Sequence, residues 1–203
     1  MGKRIFLDVG ANTGQTLLAA LDPVFRFDEI YCFEPSQYPL KKLRDIAGHD
    51  KRVHLCYYGL WDKGCKVELF DPGSKGGSVY PKDNMRQDPR APEVCEFLQA
   101  SLWFSMHIHE GDTVFLKLNV EGAECDIMDD LLDSGEFNKV TYAMIDFDVR
   151  KIASQKHRQA EIMARLNEAG IGYPRVAFTK QVMVGATHQD RIKHWLRAVG
   201  ADQ

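Results

Sequence analysis

The unbroken apolar run Ile30-Tyr31-Cys32-Phe33 constrains the fold more than any other feature of this chain. A strand with one wet face alternates polar and apolar positions, so a continuous run marks a strand covered on both faces, as in a parallel sheet. Similar runs stand at 4–9, 53–58, 113–120 and 140–147. Between them lie helical stretches at 13–21, 38–47, 93–104, 125–132, 155–169 and 189–199. In the fifth, Ile162, Leu166 and Ala169 share one stripe at helix spacing. Residues 67–70 and 181–186 read as further strands. Alternating units of this kind imply right-handed crossovers and helices on both sheet faces. The expectation is an α/β doubly wound, mostly parallel seven-stranded sheet forming a single domain over 1–203.

Composition narrows the function classes. A chain of 203 residues with 44% hydrophobic and 27% charged residues can bury a substantial core and reads as globular. No run has the apolar length of a membrane span, and the start carries no signal-peptide pattern. The five cysteines, at 32, 56, 65, 95 and 125, are odd in number and never spaced C-x-x-C. They read as reduced thiols of a cytoplasmic protein. Net charge is -3, and the basic groups Lys41, Lys42, Arg44 and Arg191, Lys193, Arg197 fit solvated helix faces. A nucleic-acid partner requires a broader positive surface.

In a doubly wound sheet ligands bind beyond the carboxyl ends of the strands, where the strand order switches. The informative residues stand there. Asp8-Val9-Gly10-Ala11-Asn12-Thr13-Gly14 joins strand one to helix one. Its G-x-x-x-G spacing is neither the dinucleotide G-x-G-x-x-G nor the G-x-x-x-x-G-K-[ST] of triphosphate sites. It suits the amino-acid end of S-adenosylmethionine (SAM), with the ammonium near Asp8; the plain alternative is an ordinary strand–helix turn. Glu34-Pro35 ends strand two, where a carboxylate can accept both ribose hydroxyls of an adenosine and the proline stops the strand. Leu116-Lys117-Leu118-Asn119-Val120-Glu121-Gly122-Ala123-Glu124 ends strand four. Lys117, Asn119 and Glu121 share one strand face, a costly arrangement unless paired or functional. A Lys117–Glu121 ion pair holding the strand end is the structural alternative. The glycine- and proline-rich stretch 71–92 reads as a substrate-side loop, with Tyr80, Asn84 and Arg86 able to meet a polyhydroxylated ligand. Trp103 reads as core.

These motifs resemble the FkbM family of SAM-dependent methyltransferases, which are Rossmann-like class I enzymes. The resemblance runs from Phe6 to about Gly170. It rests on residues 8–14, Phe33-Glu34-Pro35, the Gly-Gly-Ser at 76–78 and, most specifically, 116–124. It implies an O-methyltransferase that transfers the methyl of SAM to a hydroxyl of a sugar or glycan, or of a polyketide-type molecule. It implies Asp8, Gly10, Ala11, Asn12, Thr13 and Gly14 at the methionine end, Glu34 and Pro35 at the ribose, and Asp62 near the adenine. Asn119 departs from the family's usual Asp; it keeps the shape and loses the charge. Relatives carry an acidic-aromatic-His pattern where this chain has Asp146-Phe147-Asp148.

An alcohol must lose its proton during transfer, so a base is expected nearby. The candidate catalytic residues are Lys117, Asn119, Glu121 and Asp148. His107 and His109 precede strand four on the opposite side and read as structural, and His157 as solvent-facing. Asp146, Asp148 and Glu121 are oxygen ligands in principle, but no spacing demands a metal and none is expected. The chain opens at strand one without a helical cap, which favours an open site suited to a glycan end and is compatible with a domain of a larger glycan-building protein. Two other readings remain: a nicotinamide-dependent oxidoreductase on a similar sheet, disfavoured by the missing third glycine, and a non-catalytic SAM-binding module, supported by Asn119.

Overall fold

The computed structural model describes residues 2–72, 77–81, 93–182 and 184–203. The first half runs β1 (Arg4–Val9), α1 (Gln15–Ala20), β2 (Glu29–Phe33), α2 (Gln37–Ala47), β3 (Val53–Cys56), β4 (Gly59–Trp61) and β5 (Cys65–Leu69). The second half runs β6 (Glu93–Gln99), α3 (Ala100–His107), β7 (Thr113–Leu118), α4 (Glu124–Asp133), β8 (Tyr142–Ile145), α5 (Arg158–Glu168), β9 (Val176–Phe178), α6 (Thr179–Val182) and α7 (His188–Ala198). Six strands form one sheet in the order β3-β2-β1-β7-β8-β9, every pair parallel. The chain winds outward from β1 to β3, then returns to place β7 against the other side of β1. The switch in strand order therefore falls between β1 and β7.

Strand alternation distributes the side chains between two cores. Ile5, Leu7 and Val9 of β1, with Val114, Leu116 and Leu118 of β7, pack on Trp103 and Phe104 of α3, Ile127 and Leu131 of α4, and Ile162 of α5. Phe6 and Phe115 face the other way, onto Leu17 of α1, Leu43 of α2 and Trp195 of α7. Asp8 and Lys117 fall on this second face by the same alternation, directly opposite each other in the register of β1 and β7. Four of the five cysteines are buried and all five are free thiols. No helix among the described residues is long and apolar enough to cross a membrane.

The structure corrects the expected element map at two places. Residues 93–99 form β6 rather than the first turns of a helix; Cys95 and Phe97 point inward and Val94 and Glu96 outward, a period of two. β6 pairs with β4 and β5 in a separate three-stranded sheet, so 67–70 belongs there and not to the main sheet. The second correction concerns the seventh strand. The described residues of 181–186 do not extend the sheet; Gln181 caps β9 by accepting from the Phe178 amide, α6 turns the chain, and Val182 seals the second core.

Candidate active site

A cavity of about 230 Å³ opens at the carboxyl ends of β1, β2 and β7, at the switch point. Its floor is the β1–α1 loop. Gly10 has φ 86°, and a Cβ there would lie 1.9 Å from the Asn119 carbonyl oxygen, so only glycine lets the loop close on the end of β7. The Gly10 and Ala11 amides both donate to the Phe33 carbonyl, tying the loop to β2 as well. Asn12, at φ 47°, turns the chain and accepts from the Thr13 amide through its own Oδ1.

Glu34 forms one wall. The residue is only 7% exposed, and both carboxylate oxygens accept from backbone amides: Oε2 from Asn12 at 2.8 Å and Oε1 from Ser36 at 2.9 Å. Burial nevertheless outweighs these bonds and pushes its pKa up to about 7. Ser36 caps α2, and Glu93 of β6 accepts from both Ser36 Oγ and the Gln37 amide, each at 2.7 Å. The wall is thus braced from the small sheet. Leu60 of β4, Leu69 of β5 and Phe97 of β6 line the apolar side, and Gly77, Ser78 and Val79 complete it.

The third wall is the 116–124 motif. Lys117 Nζ lies 3.0 Å from Asp8 Oδ1 and donates to the Gly10 carbonyl at 2.8 Å. The Lys117–Glu121 pair weighed from sequence is therefore not the one that forms. Asp8 is fully buried and does not line the cavity; Lys117 stands between them. Gly122, at φ 125°, has Ile152 Cδ1 2.2 Å from where a Cβ would be, and Glu121 itself sits at φ 60°. Glu124 holds this turn by accepting from the Val120 and Gly122 amides. Its burial pushes its pKa up to about 7.

Asn119 and Glu121 both line the cavity and are joined by a chain of alternating charges behind it. Asn119 Nδ2 donates to Asp146 at 3.1 Å, and Arg150 bridges Asp146 and Asp148. Lys151 then bridges Asp148, at 2.6 Å, and Glu121, at 3.2 Å. This explains the amide at 119. An aspartate there would set a second carboxylate against Asp146, whereas asparagine donates to it. Asp148 is buried behind the wall with both oxygens in ion pairs, and it does not line the cavity.

Of the remaining sequence candidates, Gly10, Ala11, Asn12, Thr13 and Pro35 line the cavity, and Gly14 lies buried behind it under Leu43 and Ile46. Asp62 follows β4, 3.9 Å from Lys63, and does not reach the cavity. Tyr80 turns away to donate to Asp126, which also accepts from Trp61 and Arg158. Asn84, Arg86 and Gly76 lie outside the described residues. His107 stacks on the buried Trp103, and His109 and His157 are exposed, all away from the site. Sequence reasoning missed His188 of α7, which lines the cavity with Nε2 2.9 Å from Thr16 Oγ1. Its only sequence signal is its place at the start of a capped helix.

Lys117→Met leaves Asp8 buried without its cation and is expected to destabilise the fold by about 3–5 kcal/mol in urea unfolding. Asp8→Asn combined with Lys117→Met recovers most of that loss. Glu34 supplies a pH test. Folded, its carboxyl titrates near 7; unfolded, it does so near its ordinary 4.5. Between these values the native state holds a proton that the unfolded chain has released, so its contribution to stability falls as pH rises from about 4.5 to 7 and is flat above. Glu34→Gln is expected to flatten part of that slope, leaving the share due to Glu124.

The model of the methyltransferase FkbM domain matches residues 8–171, the span that holds the loop, Glu34 and the 116–124 turn. A crystal structure of methyltransferase FkbM from Methylobacillus flagellatus KT is similar in fold, with a TM-score of 0.50 at 17% identity over 80% of this chain. The similarity covers 37% of that protein, so this chain spans little more than a third of its length. Comparison with curated proteins gives no match. The chain belongs to the FkbM methyltransferase family.

Proposed function

We propose that this chain is a SAM-dependent O-methyltransferase whose acceptor is a hydroxyl of a sugar or glycan. The observation that carries the reading is Glu34, a buried carboxylate on the wall of a cavity at the switch point, with both oxygens fixed by backbone amides. Each oxygen keeps a second lone pair, and together they match the paired hydroxyls of a ribose. A lone structural carboxylate would not be expected to face a cavity at the cost that its raised pKa records.

The residues present fit SAM. The Gly10–Thr13 loop and Lys117 would hold the methionine end, and Glu34 with Pro35 the ribose. The apolar wall of Leu60, Leu69 and Phe97 would take the adenine, which needs no carboxylate from Asp62. When bound, SAM supplies an electrophilic methyl group that needs no further activation. The chain's task is then alignment and proton removal. Asn119, held by Asp146, and Glu121, held by Lys151, present an acceptor and a donor-filled carboxylate to the acceptor side. Polar pairs so fixed suit a ligand that offers several hydroxyls, which favours a sugar over a polyketide.

The test is transfer of labelled methyl from SAM to a panel of methyl glycosides and oligosaccharides. The reading expects label on an oxygen of at least one sugar, lost in Glu34→Ala. Label on polyketide alcohols alone would move the acceptor class. Binding of SAM with no transfer to any acceptor, unchanged by Asn119→Asp, would favour a non-catalytic module.

A further inference from the structure

The reaction needs a group that takes the proton of the acceptor hydroxyl, and the cavity offers few. Lys117 is committed to Asp8 and the Gly10 carbonyl. Glu121 is paired with Lys151, Asp148 is paired with Arg150 and Lys151, and Glu34 is committed to the opposite wall. An amide cannot accept a proton at Asn119. Among the described residues that line the cavity, this leaves His188.

His188 is held for the purpose. It is the first residue of α7, whose start is fixed by a capping box: Thr187 accepts from the Asp190 amide, and Asp190 accepts from the Thr187 amide. α7 is anchored below by Ile192, Trp195 and Leu196 in the second core. The ring sits at the cavity mouth with Nε2 2.9 Å from the hydroxyl of Thr16, a buried residue of α1 that lines the same cavity. Strand alternation sends Lys117 and Asn119 to this same face of the sheet.

We propose that His188, oriented by Thr16, is the general base of the reaction; the assignment rests on the O-methylation reading above. The acceptor's O–H proton passes to the imidazole, and the pair that bonded it stays on oxygen for attack. Either sense of the Thr16 bond leaves a basic nitrogen. An imidazole donating from Nε2 to Thr16 holds its lone pair on Nδ1, and one accepting from Thr16 at Nε2 takes the proton through that hydroxyl. The charged groups that act on the ring are Asp8 of β1, Lys117 of β7, Asp146 after β8 and Arg191 of α7. Partial burial at the cavity and the charge of Lys117 lower its pKa from the ordinary 6.5, a shift toward the neutral, proton-accepting form.

The experiment compares wild type with His188→Gln in two readouts: calorimetric binding of S-adenosylhomocysteine, and methyl transfer to methyl glycosides at saturating SAM from pH 5 to 9. The expected result is S-adenosylhomocysteine affinity within about twofold of wild type and transfer reduced at least about 100-fold. The rising acid limb of the wild-type profile should vanish in the variant, and Thr16→Val should weaken transfer more mildly. Transfer by the variant at wild-type rate with the limb intact overturns the assignment. So does a tenfold loss of S-adenosylhomocysteine affinity, which would make His188 a cofactor ligand. If wild type binds S-adenosylhomocysteine but methylates neither glycosides nor polyketide alcohols, the O-methylation reading fails, and the base falls with it.

Discussion

The ion pair between Asp8 and Lys117 sits where the two halves of the sheet meet. These residues are direct partners in neighbouring parallel strands, both buried, and Lys117 also reaches the carbonyl of Gly10. Three things depend on that reach. The β1–α1 loop is pinned to β7, the backbone of Gly10 closes on Asn119, and the cavity receives a cation whose charge is already balanced from behind. A buried pair of this kind is poor evidence for stability, because desolvation offsets most of the attraction. Its use here is geometric: it fixes the cavity floor to the strand that presents Asn119 and Glu121.

From that point the site is built by carboxylates that accept rather than react. Glu34, Glu93 and Glu124 each bind backbone amides, and each fixes a turn at a strand end. The 116–124 wall is stiffened by the chain from Asn119 through Asp146, Arg150, Asp148 and Lys151 to Glu121. Removing one member strands a neighbour, so substitutions along it are expected to be non-additive.

Much of this is legible in the sequence. Continuous apolar runs such as 30–33 identified buried parallel strands, and the loop 8–14, Glu34 and 116–124 fell beyond strand ends, where the cavity lies. What failed has local causes. β6 runs into α3 without a glycine or proline between them, so its period of two was absorbed into the helix that follows. In sequence the run 182–184 is as apolar as a strand, and only the packing of Val182 in the second core decides the matter. The Lys117–Glu121 pair offered as the structural alternative does not form: Glu121 is near in sequence, while Asp8 is near only through strand pairing. His188 was invisible because its meaning comes from Thr16, 172 positions away.

The central claim is that the cavity beside Glu34 holds the adenosine of SAM. Titration calorimetry with S-adenosylhomocysteine, on wild type and on Glu34→Ala, tests it most directly. The account predicts binding to the wild type that weakens at least tenfold in the variant, a loss of about 1.4 kcal/mol. Binding unchanged in Glu34→Ala would place the ribose elsewhere, and no binding to the wild type would contradict the account outright.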